Sequence, residues 1–282
     1  MTLKETIVKA RGEKRAIGHF NISDIAALRA IVRAAGDLGV PVIIGTSEGE
    51  AEFVDIEVAR AMVKDMREET NQDIFLNADH FHSLEKIEEA VRAGYDSVIF
   101  DGTKLPLEEN IQKTKEAVER VKSIRQNILV EGEIGYIGES SKMLDKLPDS
   151  IGVCKVEDVQ RFVNETGVDL VAPAVGNVHG MLKGVGNPRL DIGLIESIAK
   201  NVTVPLVLHG GSGISDEDFK AAIVAGISIV HINTEIRVAW RKGIEKALED
   251  KEQIAPYKVF AEAEEAVYEV VSRRLKLFGG LL

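Results

Sequence analysis

The tightest constraint on the fold is an eightfold alternation of short apolar runs with longer charged stretches. The runs are AIGHF (16–20), PVIIGT (41–46), DIFLNAD (73–79), SVIFD (97–101), ILVEGE (128–133), DLVAPAV (169–175), PLVLHG (205–210) and SIVHIN (228–233). Between them, segments such as 24–38, 84–93, 108–124 and 216–225 carry apolar residues at helical spacing. In DLGVP, RAGYD, ETGVD and VAGIS a glycine stands just before the next run, where a helix can end in the left-handed conformation. A doubly wound open sheet would also alternate strands and helices. A count of eight is the number that closes a parallel barrel, so the reading is an α/β chain folded as a (β/α)8 TIM barrel. The tail 257–275 reads as one additional C-terminal helix.

No composition break or Gly/Ser/Pro-rich linker divides the 282 residues, so residues 1–282 are read as a single catalytic domain. Two stretches, 134–153 and 176–190, are long for βα loops and are expected to be binding loops or lids. The net charge of -11 argues against a nucleic-acid surface, though a small basic pocket could still hold a phosphate. The charged N-terminus has no signal-peptide core, no apolar run would cross a membrane, and Cys154 is the only cysteine. A soluble cytoplasmic protein is expected.

Chemistry is carried by the histidines. All six, His19, His80, His82, His179, His209 and His231, fall where a predicted strand ends. His80, His179 and His209 come from three different strand ends, and three imidazoles with an open position form the ligand pattern of a catalytic zinc. Cobalt, iron or manganese would also accept imidazole. In NADHFH (77–82), strand alternation sends Asp79 and His80 to different sides, leaving Asp79 free as an acid/base. Glu131 and Glu133 share one side beside Asp101 and need a cation or a histidine N–H as partner. They read as supporting groups or an auxiliary metal position. GGSG (210–213), with Gly210, Gly211 and Ser212 ahead of a helix, and Asn233-Thr234 after the eighth strand supply backbone N–H groups where barrels often bind phosphate. Of the rim lysines Lys104 and Lys183, neither sits in a strand core that would favour Schiff-base chemistry, and Lys183 reads as an anion support.

Asp79-His80, GEIG (132–135), VGNVHG (175–180), LHGGSGI (208–214), NTE (233–235) and FDGTKLPLEEN (100–110) together resemble the class II, metal-dependent fructose- and tagatose-bisphosphate aldolase family over nearly the whole chain. The resemblance implies zinc on His80, His179 and His209, and Asp79 as acid/base at the aldehyde half of the substrate. It places a phosphate on Gly180, Gly210, Ser212 and Thr234, with Asn21 and Ser47 nearby, and it admits a monovalent cation. It further implies cleavage of fructose 1,6-bisphosphate into dihydroxyacetone phosphate and glyceraldehyde 3-phosphate by a homodimer or homotetramer. Tagatose 1,6-bisphosphate or another phosphorylated sugar is the alternative substrate. An idle barrel serving as a regulatory subunit is the non-enzymatic one.

Two positions depart from that family pattern. His19 stands where relatives carry a small residue, and His231 where they carry an asparagine that helps hold the enediolate. These two are expected to meet, because the first and eighth strands of a closed barrel are neighbours. After GEIG, Glu139 is the nearest acid and comes earlier than the family's proton-transferring acid, which makes it the candidate base.

Overall fold

The computed structural model describes residues 1–282 apart from 139–140, 149–150 and 185. Eight strands run parallel: β1 Ile17–Asn21, β2 Val42–Ser47, β3 Ile74–Phe81, β4 Ser97–Phe100, β5 Leu129–Ile134, β6 Leu170–Pro173, β7 Leu206–Leu208 and β8 Ile227–Ile232. They hydrogen-bond in sequence order, and β8 pairs with β1 to close the barrel. Each of the eight apolar runs became a barrel strand. Gly39, Gly94 and Gly167 end their helices in the left-handed conformation, and Gly226 also has positive φ.

Side chains pointing outward from the strands, such as Val42, Ile44, Val98 and Val230, form the main core with the helices. Those pointing inward at the lower end form a second core from Ile17, Ile43, Phe75, Leu129, Leu170, Val207 and Ile229. A helix over Leu3–Gly12 closes that end by inserting Leu3 and Ile7. Sequence reading took this stretch only as a charged N-terminus. Its helical signals are a Thr2–Glu5 capping box and two apolar side chains one turn apart.

The tail forms the helix Pro256–Phe278, three residues longer at its end than the periodicity indicated. It packs against helices Ile25–Leu38 and Thr234–Ala247. The two long loops meet: Met143–Leu144 and Met181–Leu182 pair as a two-stranded parallel ribbon. Among the described residues, no helix is long and apolar enough to cross a membrane.

Candidate active site

Above the apolar floor the barrel interior turns polar, and the change begins on β3. The pairing of β3 with β4 slips between Ala78 and Phe81, and His80 takes a left-handed φ of 52°. A bulge of this kind re-aims a side chain. Strict alternation would have put Asp79 and His80 on opposite faces. The bulge instead brings both into one cleft, correcting that expectation, at a backbone cost of about 1–3 kcal/mol for a non-glycine residue.

Three imidazoles converge there. Ring centroids of His80 lie 4.8 Å from His179 and 4.7 Å from His209. Glu133 joins them: the donor atoms of His80, Glu133, His179 and His209 all lie within 4.8 Å of one another. Asp101 approaches His80 Nδ1 at 3.1 Å, and Glu131 approaches His209 Nε2 at 2.7 Å. Contacts of this kind fix a ligand's ring orientation and tautomer. With Nε2 committed to Glu131, His209 presents Nδ1 to the cluster, and that buried atom has no hydrogen-bond partner.

The charges are strongly coupled. Burial alone would lower the pKa of His209, but Glu133 and Glu131 outweigh it and raise it to about 10. His80 is likewise raised well above its usual value, with burial overcome by Asp79 and Glu133. His179 is pushed down to about 4 by burial and by the charge on His80. Without an ion, the cluster therefore balances its carboxylates with protons on His80 and His209.

Beneath the cluster runs a buried polar column. Ser97 Oγ donates to Asn77 Oδ1 at 2.8 Å, and Asn77 Nδ2 lies 3.0 Å from His19 Nε2. His19 and His231 face each other across β1 and β8 and stack at 3.6 Å with planes 3° apart. His231 also stacks on His209, and its Nδ1 is 3.3 Å from Asp79 Oδ1. Burial, then the charge on His209, lowers the His231 pKa to about 3, so this ring is neutral. His19, Asp79 and His231 also bring donor atoms within 4.8 Å of one another, but the parallel His19 and His231 rings aim their lone pairs along parallel planes, a poor geometry for sharing one cation.

Gly45 on β2 makes room for His19: a Cβ there would sit 2.2 Å from His19 Cε1. Gly45→Ala is expected to destabilise the protein by about 1–3 kcal/mol through overpacking. Thermal denaturation of Gly45→Ala beside the double variant His19→Ala/Gly45→Ala checks this. Failure of the second change to recover stability would show that the strain lies elsewhere.

The other wall of the cleft is made by loops. Gly180, Gly210, Ser212, Asn233 and Thr234 line it together with Asn21, Ser47, Asp79, His80, His179 and His231, around about 370 Å³. Gly210, with φ 61°, approaches the loop after β6 so closely that a Cβ would lie 2.3 Å from the Val178 carbonyl oxygen. Helix Thr234–Ala247 starts at this wall, and its N-cap Asn233 makes no side-chain capping bond. Apart from the Glu235 N–H, which donates to Ser212 Oγ at 3.1 Å, its first N–H groups can face an anion. Helix Asp216–Ala225 is different: Ser215 caps it and three acids fill its first turn. After β7 the Gly210–Ser212 loop, not this helix start, is therefore the segment suited to an anion.

A sequence-family profile described as "Fructose-bisphosphate aldolase class-II" matches residues 1–280. The chain belongs to that family. A fructose-bisphosphate aldolase of Staphylococcus aureus (strain Mu50 / ATCC 700699) is 35% identical over 285 residues, covering 99% of this chain and 97% of the relative. One of Geobacillus stearothermophilus is 33% identical, covering 99% and 96%. Among solved structures, the YdjI aldolase of Escherichia coli K12 superposes with a TM-score of 0.83 at 30% identity, covering 99% of this chain and 97% of that one.

Class II aldolases are metal-dependent, and the donor set here fits a divalent ion: three imidazoles, a carboxylate and an unpartnered buried ring nitrogen. Some expected aldolase site residues lie elsewhere. Lys183 does not line the cleft; it pairs with Asp145 at 2.8 Å, beyond the ribbon. Gly211 is turned into the barrel wall, where its N–H donates to the His231 carbonyl oxygen. Glu139 lies outside the described residues.

Three residues were missed. Glu50 accepts from Asn21 Nδ2 at 2.9 Å while the same amide reaches Asp79 Oδ2 at 2.8 Å. Arg237 lines the cleft and donates to Glu50 at 2.7 Å. Asn187 donates to the carbonyl oxygens of Gly180 and Ser212, both at 2.8 Å, tying two loops together. Sequence signals for the first two existed: Glu50 closes a capping box with Ser47, and Arg237 stands one turn after Thr234.

Proposed function

We propose that the chain is a zinc-dependent aldolase reversibly cleaving fructose 1,6-bisphosphate into dihydroxyacetone phosphate and glyceraldehyde 3-phosphate. The observation that carries this reading is the His80–Glu133–His179–His209 cluster, whose His80 and His179 line one cleft together with Asp79 and the loops after β6, β7 and β8. His80, His179 and His209 would hold the metal, with Glu133 completing the donor set and Asp101 and Glu131 orienting the rings. A divalent ion bound there supplies the positive charge that the reaction needs as an enediolate develops beside the ketone.

The remaining steps fall to side chains. Asp79 accepts the proton of the C4 hydroxyl as the C3–C4 bond breaks; the bonding electrons move into the ketone half, and the aldehyde departs. In the synthetic direction Asp79 returns that proton. Asn21 donates to Asp79 Oδ2, and the His231 ring stands beside Oδ1 at 3.3 Å. Gly180, Gly210, Ser212, Asn233 and Thr234 hold the ketone-half phosphate through backbone and hydroxyl donors. Glu139 is the group proposed to give a proton to C3 of the ketone half after cleavage and to remove it in synthesis. A single cytoplasmic domain assembled as a dimer or tetramer completes the proposal.

The deciding assay supplies the metal-loaded protein with fructose 1,6-bisphosphate and, separately, its C4 epimer tagatose 1,6-bisphosphate, and measures triose phosphate release. Faster turnover of the fructose compound supports the reading; preference for the epimer replaces the substrate, and cleavage of neither rejects both. His231→Ala is expected to lower kcat/KM about tenfold to a hundredfold, the scale of one polar contact to a charged group. Unchanged kinetics would remove His231 from the site's machinery.

A further inference from the structure

The C-terminal helix Pro256–Phe278 reaches the phosphate-facing wall through one buried side chain. Arg274 is only 5% exposed. Its Nε donates to Glu235 Oε2 at 2.8 Å and its Nη2 to Glu235 Oε1 at 2.6 Å, a two-pronged pair in the sense that only a guanidinium makes. Glu235 in turn holds two loops. Its carboxylate accepts the Gly213 N–H at 3.0 Å, and its backbone N–H donates to Ser212 Oγ at 3.1 Å. Arg274 Nη1 also donates to Asp216 Oδ1 at 2.8 Å, and its guanidinium lies 4.9 Å from the centre of the Phe219 ring. One arginine therefore braces the segment after β7, at Ser212, Gly213 and Asp216, against the start of the helix after β8.

Charge adds a second argument. Glu235 directly follows Thr234, whose helix N-terminus faces the cleft. An unpaired carboxylate at that point would repel an arriving phosphate. The pairing neutralises Glu235 while leaving its backbone in place.

We propose that Arg274 is a positioning residue for substrate phosphate: from the C-terminal helix it fixes the spacing of the Ser212 and Thr234 loops and cancels the charge of Glu235. This rests on the reading that those loops bind phosphate. A residue with this role governs affinity for the phosphorylated half more than the rate of bond cleavage.

The test uses the metal-loaded full-length protein with inorganic phosphate as probe. Arg274→Lys keeps the charge but loses the fork; Arg274→Gln loses both. Competitive inhibition by inorganic phosphate should weaken about tenfold in the lysine variant and further in the glutamine variant, on the scale of charge-assisted hydrogen bonds. KM for the sugar phosphate should rise in parallel, with kcat within about twofold and metal content unchanged. A kcat loss at constant KM, or wild-type phosphate inhibition in both variants, overturns the proposal.

Amide hydrogen exchange on the unaltered protein gives a readout independent of whether the variants fold. Phosphate should slow exchange at 210–216 and 233–237 and also at 270–278 of the C-terminal helix. Protection of the loops without the helix overturns the role of Arg274. No protection at either loop instead overturns the phosphate-site reading, so the two failures are distinguishable.

Discussion

Stripping divalent metal with a chelator is expected to reduce aldol cleavage at least about a hundredfold, and zinc should restore it. The size follows from the several kcal/mol that a cation contributes to a developing enediolate, at about 1.4 kcal/mol per decade of rate. The direction of the pH dependence follows from the site. In the metal-free protein His209 has its pKa raised to about 10, with burial outweighed by Glu133 and Glu131, and His80 is raised as well. A metal ion must displace those protons, so apparent affinity should increase as pH rises toward about 10, and chelation should be easier in acid. Metal titrations at several pH values, with residual activity measured after chelation, check both statements. Full activity after verified metal removal would defeat the proposed mechanism, and an affinity that falls with rising pH would show that protons and metal do not compete at these imidazoles.

Asp79→Asn is expected to lower kcat by about 10²–10⁴-fold, the range for losing a positioned general acid/base, with KM and metal content little changed. Asparagine preserves the shape and can still meet Asn21 and His231, so the variant removes proton acceptance while keeping the site's form. The carboxyl of Asp79 is buried, which alone would raise its pKa, but His80 and His231 hold it well below the usual carboxylate range. In the metal-free protein it is thus ionised at neutral pH. Steady-state kinetics beside metal analysis separate the outcomes. A kcat within a few-fold of the parent would assign proton transfer to another group, and a loss of metal would make Asp79 a structural support of the cluster.

Eight apolar runs were enough to read the barrel because each strand is a local pattern and the count fixes closure. The convergence of three imidazoles was legible for a related reason: a barrel brings its strand ends together, and His80, His179 and His209 all fall there. What stayed hidden depends on contacts that no local pattern records. The left-handed turn at His80 is unusual for a non-glycine residue and has no sequence marker, so alternation misplaced it relative to Asp79. Glu133 was recognised as a neighbour of the site, but its convergence with three histidines emerges only when β5 closes against β4 and β6. Arg274 lies 39 residues beyond Glu235, its partner. Lys183 pairs with Asp145 instead of lining the cleft, and its place in a loop does not say which side of that loop faces the cleft. His19 and His231 were correctly expected to meet, since closure forces β1 and β8 together; their stacked geometry also needed the space left by Gly45.

The helix at the base of the barrel has a consequence for traffic. With Leu3 and Ile7 seated among the lower side chains, the vessel is stoppered from below, and its contents enter and leave by the upper mouth. Under the proposed function, a substrate and both products of its cleavage would therefore share a single way in and out.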